Sequence, residues 1–136
     1  MSDNLANLAG IGRLKAEAYS ETEFKGLVTS AGRRLADARN ESLSAESRFD
    51  LAYNASHALA LAALRRRGYR SENRTIVFQA LGETAGMPPA KFRVLSKCHD
   101  ARNLAEYAGH TEIDARLLTE LIVIASELEA LVSALK

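Results

Sequence analysis

Residues 51–64 read LAYNASHALALAAL, and this stretch decides the fold of the chain. It is apolar on nearly every side of a helix, which is typical of a helix enclosed by other helices. The pattern extends from about Ser44 to Arg67 and stops at Gly68, so it predicts a helix roughly 36 Å long at about 1.5 Å per residue. We therefore expect an all-α helical bundle built around this central helix.

The rest of the chain carries helical signals and no convincing strand signal. Only two prolines are present, and no long stretch alternates apolar with polar residues. Ser20 and Glu23 have the spacing of a capping box, and so do Thr111 and Asp114. We predict an up-and-down bundle of about five helices. The predicted segments are a weak leading helix at about Asp3–Ala18, Ser20 to near Asn40, about Ser44 to Arg67, Ser71 to a glycine at 82 or 86, Pro88 or Pro89 to about Ala108 with a break at Gly109, and Thr111 onward.

The last predicted helix carries a heptad-like seam, in which apolar residues advance by four and three positions alternately. Such a seam packs against another helix. A convincing coiled coil needs at least about three to four heptads, so packing inside the molecule is the favoured interpretation and packing between molecules is the alternative. The seam consists of Leu117, Leu121, Ile124, Leu128, Leu131 and Leu135.

Composition limits the classes of function. With 136 residues, 47% of them apolar, residues 1–136 are expected to form one domain with a substantial core. Lys and Arg number 18 against 17 Asp and Glu, so the chain lacks the positive excess of a dedicated nucleic-acid binder and must bind any phosphate locally. The longest apolar run, Ala58–Leu64, is far shorter than the roughly 18 residues that suggest a membrane span, and no signal-peptide pattern is present. We expect a cytoplasmic protein with no membrane contact.

Common catalytic and metal-binding motifs are absent from the sequence. No histidine has a glutamate three residues before it, as di-iron carboxylate bundles require, and there is no HExxH. There is also no GxSxG motif and no glycine-rich loop after a strand. The single cysteine, Cys98, excludes a disulfide framework and has apolar neighbours, which favours a core position over a nucleophile. No metal and no cofactor is expected.

Five arginines gather where the central helix is expected to end, in the stretch RRRGYRSENR at 65–74. One interpretation is that they complement the negative end of the helix dipole and keep a loop solvated. The other is a phosphate-binding patch, with Tyr69 available to stack on RNA bases. This arginine cluster consists of Arg65, Arg66, Arg67, Arg70 and Arg74.

Residues 98–110 read CHDARNLAEYAGH and present two faces when placed on a helix. A solvated surface held by an Arg102–Glu106 pair is one interpretation of the polar face, and a reaction or binding site is the other. A second polar group interrupts the central helix, and because buried polar side chains need partners, the face around Arg102 is expected to supply them. His57 alone would be a core histidine with its hydrogen bonds satisfied. The apolar face holds Val94, Cys98, Ala101, Ala105 and Ala108, the polar face holds His99, Arg102, Asn103, Glu106 and Tyr107, and the second polar group is Tyr53, Asn54 and His57.

These features resemble the HEPN domain family. The likeness runs from about Leu35 to Tyr107, with LADARNESLSAESRFDLAYNASHALALAALRRRGYRSENRTIVFQAL at 35–81 followed by RNLAEY at 102–107. The order is a helix with a polar Asp-Ala, an alanine-rich helix with Tyr-x-Ala-x-His-Ala, a Gly-Tyr loop, a short helix and a late Arg-Asn. The resemblance implies a small helical bundle, commonly dimeric, in a family where many members are metal-independent ribonucleases of toxin–antitoxin, antiviral or RNA-processing systems.

The family motif is an arginine, often followed by a polar residue such as asparagine, then four to six residues and a histidine. Arg102 and Asn103 take the first two positions. In such a site the arginine holds the scissile phosphate and the histidine moves protons. This sequence departs from the motif at the histidine, because positions 107, 108 and 109 hold Tyr, Ala and Gly and His110 lies one residue further. A phenol, with a pKa of about 10, is a poor base at neutral pH, so His99 and His110 are the candidates for proton transfer.

The resemblance implies a protein that binds RNA or nucleotide phosphate in a toxin–antitoxin or defence system, with weak or no metal-independent endoribonuclease activity. The alternative is a non-catalytic helical dimerisation or interaction module that partners an enzyme such as a nucleotidyltransferase. A homodimer is expected, and an antitoxin or a nucleotidyltransferase is the expected protein partner. The candidate catalytic residues are Arg102, His99 and His110, and the candidate binding residues are Asn103, Glu106, Tyr107, His57, Tyr53, Arg65, Arg66, Arg67 and Arg70.

Overall fold

The computed structural model describes residues 2–109 and 112–135, and for residues 2, 3 and 106–108 it describes the backbone alone. The described residues form an all-α bundle, as the sequence predicts, with one small antiparallel sheet that pairs Lys15 with Arg70 and Ala16 with Tyr69. The helices are α1 (Ser2–Gly10), α2 (Glu21–Ala38), α3 (Ala45–Arg66), α4 (Arg74–Gln79), α5 (Leu81–Thr84), α6 (Pro89–Ala108) and α7 (Ala115–Ser133), and the strands are β1 (Lys15–Ala16) and β2 (Tyr69–Arg70).

Helix α3 is the central helix, as the stretch 51–64 predicts. From Ala52 to Leu64 every residue is buried except Asn54, His57 and Leu61, which are half-buried. The helix packs against α2 and α7, which contact each other, and against α4, α5 and α6, which also contact one another. Small alanine side chains at these contacts let the neighbouring helices come close. This arrangement brings the polar residues in the middle of α3 next to α4 and α6.

The predicted starts of α2 and α3 and the predicted end of α6 are confirmed, and local capping residues explain them. The Ser20 Oγ accepts a hydrogen bond of 3.2 Å from the backbone N–H of Glu23, which starts α2. The Ser44 side chain caps α3 in the same way. Helix α6 starts at Pro89 and ends before Gly109, whose φ of 71° lies in the left-handed region that favours glycine.

Two predicted helices differ from the observed ones. The leading helix ends at Gly10, earlier than predicted, because the chain turns at Gly12 with a φ of 78° and then enters β1. The helix expected from Ser71 starts at Arg74, because the Asn73 side chain accepts the capping hydrogen bond. It is also divided, so that α4 and α5 replace one predicted helix.

The last helix starts later than predicted but packs as expected. Asp114 is its N-cap, with Oδ1 accepting a 2.8 Å hydrogen bond from the Arg116 backbone N–H, so α7 begins at Ala115. The predicted start, Thr111, lies outside the described residues. Helix α7 packs against α3, α2 and α6, which supports seam packing inside the molecule. Four seam residues are buried there, namely Leu117, Leu121, Ile124 and Leu128.

One cluster of buried side chains runs through the bundle. In the part of the chain that the structure describes, no helix is long and apolar enough to cross a lipid bilayer. The polar face of α6 meets the polar residues of α3 at the edge of this core, where Tyr53 and His99 contact each other, and the candidate functional site lies there.

Candidate functional site

Tyr53 of α3 and His99 of α6 join the two polar groups that the sequence singles out. The Tyr53 hydroxyl oxygen and His99 Nδ1 are 2.7 Å apart and share a hydrogen bond, and the two rings are stacked at 6.1 Å between centroids. Burial raises the pKa of Tyr53, so the phenol stays neutral. The expectation that the face around Arg102 supplies a partner to the polar residues of α3 is confirmed for Tyr53.

His99 is held on both sides of its ring. Asn103 lies one helical turn further along α6, and its Nδ2 is 3.3 Å from His99 Nε2. The Asn103 amide nitrogen is a donor, so His99 Nε2 accepts from it, and Nδ1 carries the ring proton and donates it to the Tyr53 hydroxyl oxygen. The imidazole is therefore fixed in orientation.

Arg102 lies against the Tyr53 ring and opens onto a groove. Its guanidinium carbon is 5.3 Å from the ring centroid, which is a cation–π distance. Its Nε is 3.5 Å from a carboxylate oxygen of Asp50, an exposed residue of α3, and its own side chain is 27% exposed. The groove has a volume of about 420 Å³ and is lined by Glu46, Ser47, Phe49, Asp50, Arg102, Ala105 and Ile113. We call it the Arg102 groove.

Arg74 approaches the same tyrosine from α4. Its guanidinium carbon is 5.4 Å from the Tyr53 centroid, and its Nη1 is 3.4 Å from the side-chain oxygen of Asn54. The sequence places Arg74 in the arginine cluster and predicts no role for it at Arg102. This position of Arg74 depends on tertiary packing, which the sequence pattern does not give. Asn73 caps α4, so Arg74 is the first residue of a helix that packs on α6.

His57 completes the group from one turn beyond Tyr53 on α3. Its ring meets the edge of Phe78, 6.0 Å between centroids, and its buried Nε2 has no hydrogen-bond partner among the described residues. Burial, and then the positive charge of Arg74 and of the α6 face, lowers the pKa of His57 to about 4. His57 is therefore neutral at pH 7, and it is not the satisfied core histidine that its sequence context predicts.

Among the described residues, positive charge exceeds negative charge at this group of side chains. Asp50 pairs with Arg102 but is 60% exposed, so water screens the pair. Among the described residues no carboxylate lies within ion-pair distance of Arg74. We call this group the two-arginine site, and it consists of Tyr53, Asn54, His57, Arg74, His99, Arg102 and Asn103. Its surplus charge is suited to an anion.

No family model, curated protein or solved structure matches this chain.

Two members of the arginine cluster hold the fold together instead of facing a ligand. The Arg65 side chain is 1% exposed, and its Nε donates to Glu23 at 2.6 Å while its Nη atoms donate to the backbone oxygens of Glu17 and Ala18. Arg70 pairs with the carboxylates of Glu17 and Glu23. These contacts fasten the segment before α2 to the end of α3. The predicted place of Arg65 in an exposed phosphate patch is wrong, because its guanidinium is buried and bonded.

Two further arginines of the cluster, Arg66 and Arg67, are nearer the surface. Arg66 donates to the Tyr19 hydroxyl at 2.8 Å and stacks on that ring at 4.9 Å. Arg67 is exposed and donates to the backbone oxygen of Glu83 at 2.9 Å. A phosphate contact at Arg66 and Arg67 stays a prediction.

Three predicted site residues fall where the structure gives no account of them. The side chains of Glu106 and Tyr107 and the whole of His110 lie outside the described residues. Their predicted roles stay predictions.

Cys98 lies in the core, as predicted. It is fully buried, and burial raises the pKa of its thiol to about 12, so the thiol stays protonated and is a poor nucleophile. Within residues 2–109 and 112–135, no three His, Cys, Asp or Glu side chains form a group that could hold a metal ion.

Proposed function

We propose that this protein binds the phosphate of RNA or of a nucleotide, as a HEPN-like component of a toxin–antitoxin or defence system. The observation that carries the proposal is the position of Arg102, which is held on the Tyr53 ring and opens onto the Arg102 groove. A planar guanidinium can bind two oxygens of a phosphate at once. The groove volume of about 420 Å³ falls within the range of about 300–1,000 Å³ typical of small-molecule sites.

The groove also suits the rest of a nucleotide. Asp50 and Glu46 line it beside Ser47, and carboxylate oxygens accept hydrogen bonds from ribose hydroxyls and base amino groups. In this structure the Asp50 carboxylate pairs with the guanidinium of Arg102, and a bound phosphate oxygen would take the place of that carboxylate. The ligand would then lie with its phosphate at Arg102 and its sugar in the groove.

Ribonuclease activity should be weak or absent. Cleavage without a metal needs a base at the 2′-hydroxyl, and each nitrogen of His99 already faces Tyr53 or Asn103. The pKa of His57 is lowered to about 4, which makes its imidazole a weak base at the 2′-hydroxyl. Loss of proton transfer reduces such a rate by about 10²- to 10⁴-fold, so binding would persist while cleavage fell near background.

The test is binding of labelled single-stranded RNA by fluorescence anisotropy, at several salt concentrations. Arg102→Gln should weaken binding about tenfold or more, because a charge-assisted hydrogen bond contributes about 1.5–3 kcal/mol. Arg93→Gln is the matched control, since Arg93 is exposed on the same helix, outside the site. Equal losses in the two variants, or no binding by the parent protein, would contradict the proposal.

A second candidate function is the non-catalytic interaction module. An apolar groove of about 320 Å³ lies between α6 and α7, where Val123 is 50% exposed. Such a surface is suited to a protein partner, either an antitoxin or a nucleotidyltransferase. This candidate is favoured if the protein binds no RNA and if its overproduction leaves host growth unchanged with and without a co-produced partner.

A further inference from the structure

The two-arginine site lies within one chain, although its parts come from three helices. Arg74 of α4 and Arg102 of α6 both contact the ring of Tyr53, at 5.4 and 5.3 Å. The two guanidinium carbons therefore cannot be further apart than the sum of those two distances. Because α4 packs directly on α6, their separation is set by the fold.

We infer that Arg74 is a second phosphate-binding residue, and that Arg74, Arg102 and His57 together bind a phosphomonoester within a single chain. The inference rests on the proposed function, because it concerns the same site. It goes beyond that function in naming Arg74 and His57 as ligands of the phosphate and in naming the class of phosphate. It also makes the site complete without a second copy of the chain.

Arg74 has unused hydrogen-bonding capacity. A guanidinium has five N–H donors. Among the described residues, the Arg74 side chain makes one long hydrogen bond to the neutral amide of Asn54 and contacts Tyr53, where its charge and hydrogen bonding act on the phenol. Two cations at one ring repel each other, and although Asp50 offsets part of the charge of Arg102, the neutral amide of Asn54 does not offset the charge of Arg74. An anion bound between Arg74 and Arg102 would offset it.

His57 contributes a buried nitrogen that faces the same cations. The groups that act on it are Arg74 and the Phe78 ring from α4, and His99 and Arg102 from α6. Its Nε2 has no hydrogen-bond partner among the described residues, and a buried nitrogen in that state costs free energy. A phosphate oxygen at this position would accept a hydrogen bond from Nε2–H and would raise the pKa of His57 from its low value.

The charge of the site selects the class of phosphate. A phosphodiester inside an RNA strand carries one negative charge, whereas a phosphomonoester carries about 1.5 to 2 at pH 7 and has three terminal oxygens. Two guanidinium groups and one imidazole N–H match three terminal oxygens. The ligand is therefore a nucleoside monophosphate or an RNA end that bears a phosphate.

The experiment compares the parent protein with Arg74→Gln, and with Arg93→Gln as the matched control. Each is titrated calorimetrically with inorganic phosphate, with adenosine 5′-monophosphate, and with one RNA oligonucleotide made with a 5′-phosphate, a 3′-phosphate or neither. The parent and Arg93→Gln should prefer a phosphorylated ligand by about tenfold or more, with one site per chain. The monophosphate arm and the two RNA arms distinguish a free nucleotide from an RNA end.

In Arg74→Gln the preference for the phosphorylated ligand should disappear, while RNA without a terminal phosphate keeps its affinity through Arg102. Arg74→Lys keeps the charge and should retain part of the preference. An unchanged preference in Arg74→Gln, or one site per two chains in the parent, would overturn the inference and leave RNA binding at Arg102 standing. Failure of the parent to bind RNA or phosphate would overturn the proposed function itself.

A second measurement needs no variant. When inorganic phosphate is added to the parent protein, the NMR titration of His57 should shift to higher pH, because a bound anion stabilises the imidazolium. An unmoved His57 at saturating phosphate would count against its place in the site.

Discussion

At the scale of single residues, the two histidines of the two-arginine site have different roles. His99 is fixed by Tyr53 and Asn103, whereas His57 has a buried nitrogen and a pKa lowered to about 4. Of the two, the sequence favours His99 as the proton-transfer residue, because it lies one helical turn before Arg102. The charges that act on His57 belong to α4 and α6, and the sequence pattern of α3 gives no information about them.

His57 should make the fold sensitive to mild acid. Its pKa is about 6.5 when unfolded and about 4 when folded, so below pH 6.5 the unfolded chain binds more protons and becomes favoured. The contribution of His57 to stability is complete above pH 6.5 and is lost as the pH falls towards 4, on the order of 3 kcal/mol in all. Urea unfolding at pH 7 and pH 5.5 should show about 1 kcal/mol of this loss.

His57→Gln is the control for this prediction, and it should remove most of the loss between pH 7 and pH 5.5. Glu23 acts at lower pH, because its hydrogen bond with Arg65 lowers its pKa and its contribution is lost only below about 4.5. If His57→Gln lost as much stability as the parent between pH 7 and pH 5.5, His57 would not be the group responsible.

Tyr107 carries the second prediction at this scale. Tyr107→His would restore an arginine, four intervening residues and a histidine, and the two rings are similar enough in shape for the helix to accept the change. We expect measurable RNA cleavage without metal by Tyr107→His, weak or no cleavage by the parent, and loss of the new activity on Arg102→Ala. Cleavage assays in the presence of a chelator measure all three.

Strong cleavage by the parent would contradict this expectation. If His99→Ala or His110→Ala then abolished the activity, the proton-transfer group would be identified as that histidine, and residues 98–110 would be a working active site.

At the scale of elements, ion pairs and hydrogen bonds connect the end of α3 to the segment before α2 and to the start of α2. Arg65→Met should lower the free energy of unfolding by about 2–4 kcal/mol, because it leaves two backbone oxygens without their buried donor, while Glu23 keeps its pair with Arg70. Arg66→Gln, one residue further on the same helix and nearer the surface, should change it by about 1 kcal/mol or less. Chemical denaturation of both variants tests this, and equal losses would contradict it.

The elements predicted correctly from the sequence are those whose signals are local. The buried run at 51–64 predicts α3, Ser20 and Ser44 predict two helix starts, and Gly109 predicts the end of α6. The division into α4 and α5 was not predictable from these patterns, because Asn73 competes with Ser71 as a cap within three residues.

The candidate site was predicted in part for the same reason. Periodicity groups His99, Arg102 and Asn103 on one face, and the need of buried polar groups for partners links that face to Tyr53. The places of Arg65 and Arg74 depend on where α2 and α4 lie in space. Two arginines only nine residues apart in sequence therefore have different environments, one in a buried ion-pair network and the other at the site.

At the scale of the whole molecule, the expected homodimer has to be weighed against a site that already holds two arginines in one chain. The sequence suggests that two copies are needed because each offers one arginine at the motif, whereas Arg74 supplies the second within the chain. The homodimer therefore stays a prediction that rests on the resemblance to HEPN domains. It does not follow from the needs of the phosphate.

We expect a homodimer in which the Arg102 faces of two copies approach each other across one cleft. Light scattering at tens of micromolar should detect it, since an interface of about −6 to −7 kcal/mol assembles in that range. Asn103→Cys should then form a disulfide between copies on mild oxidation. Native Cys98 will not compete, because it is buried with a pKa of about 12. Arg93→Cys, exposed on the same helix about 15 Å away, should remain unlinked, and a monomer at these concentrations or equal linking of both variants would exclude this dimer.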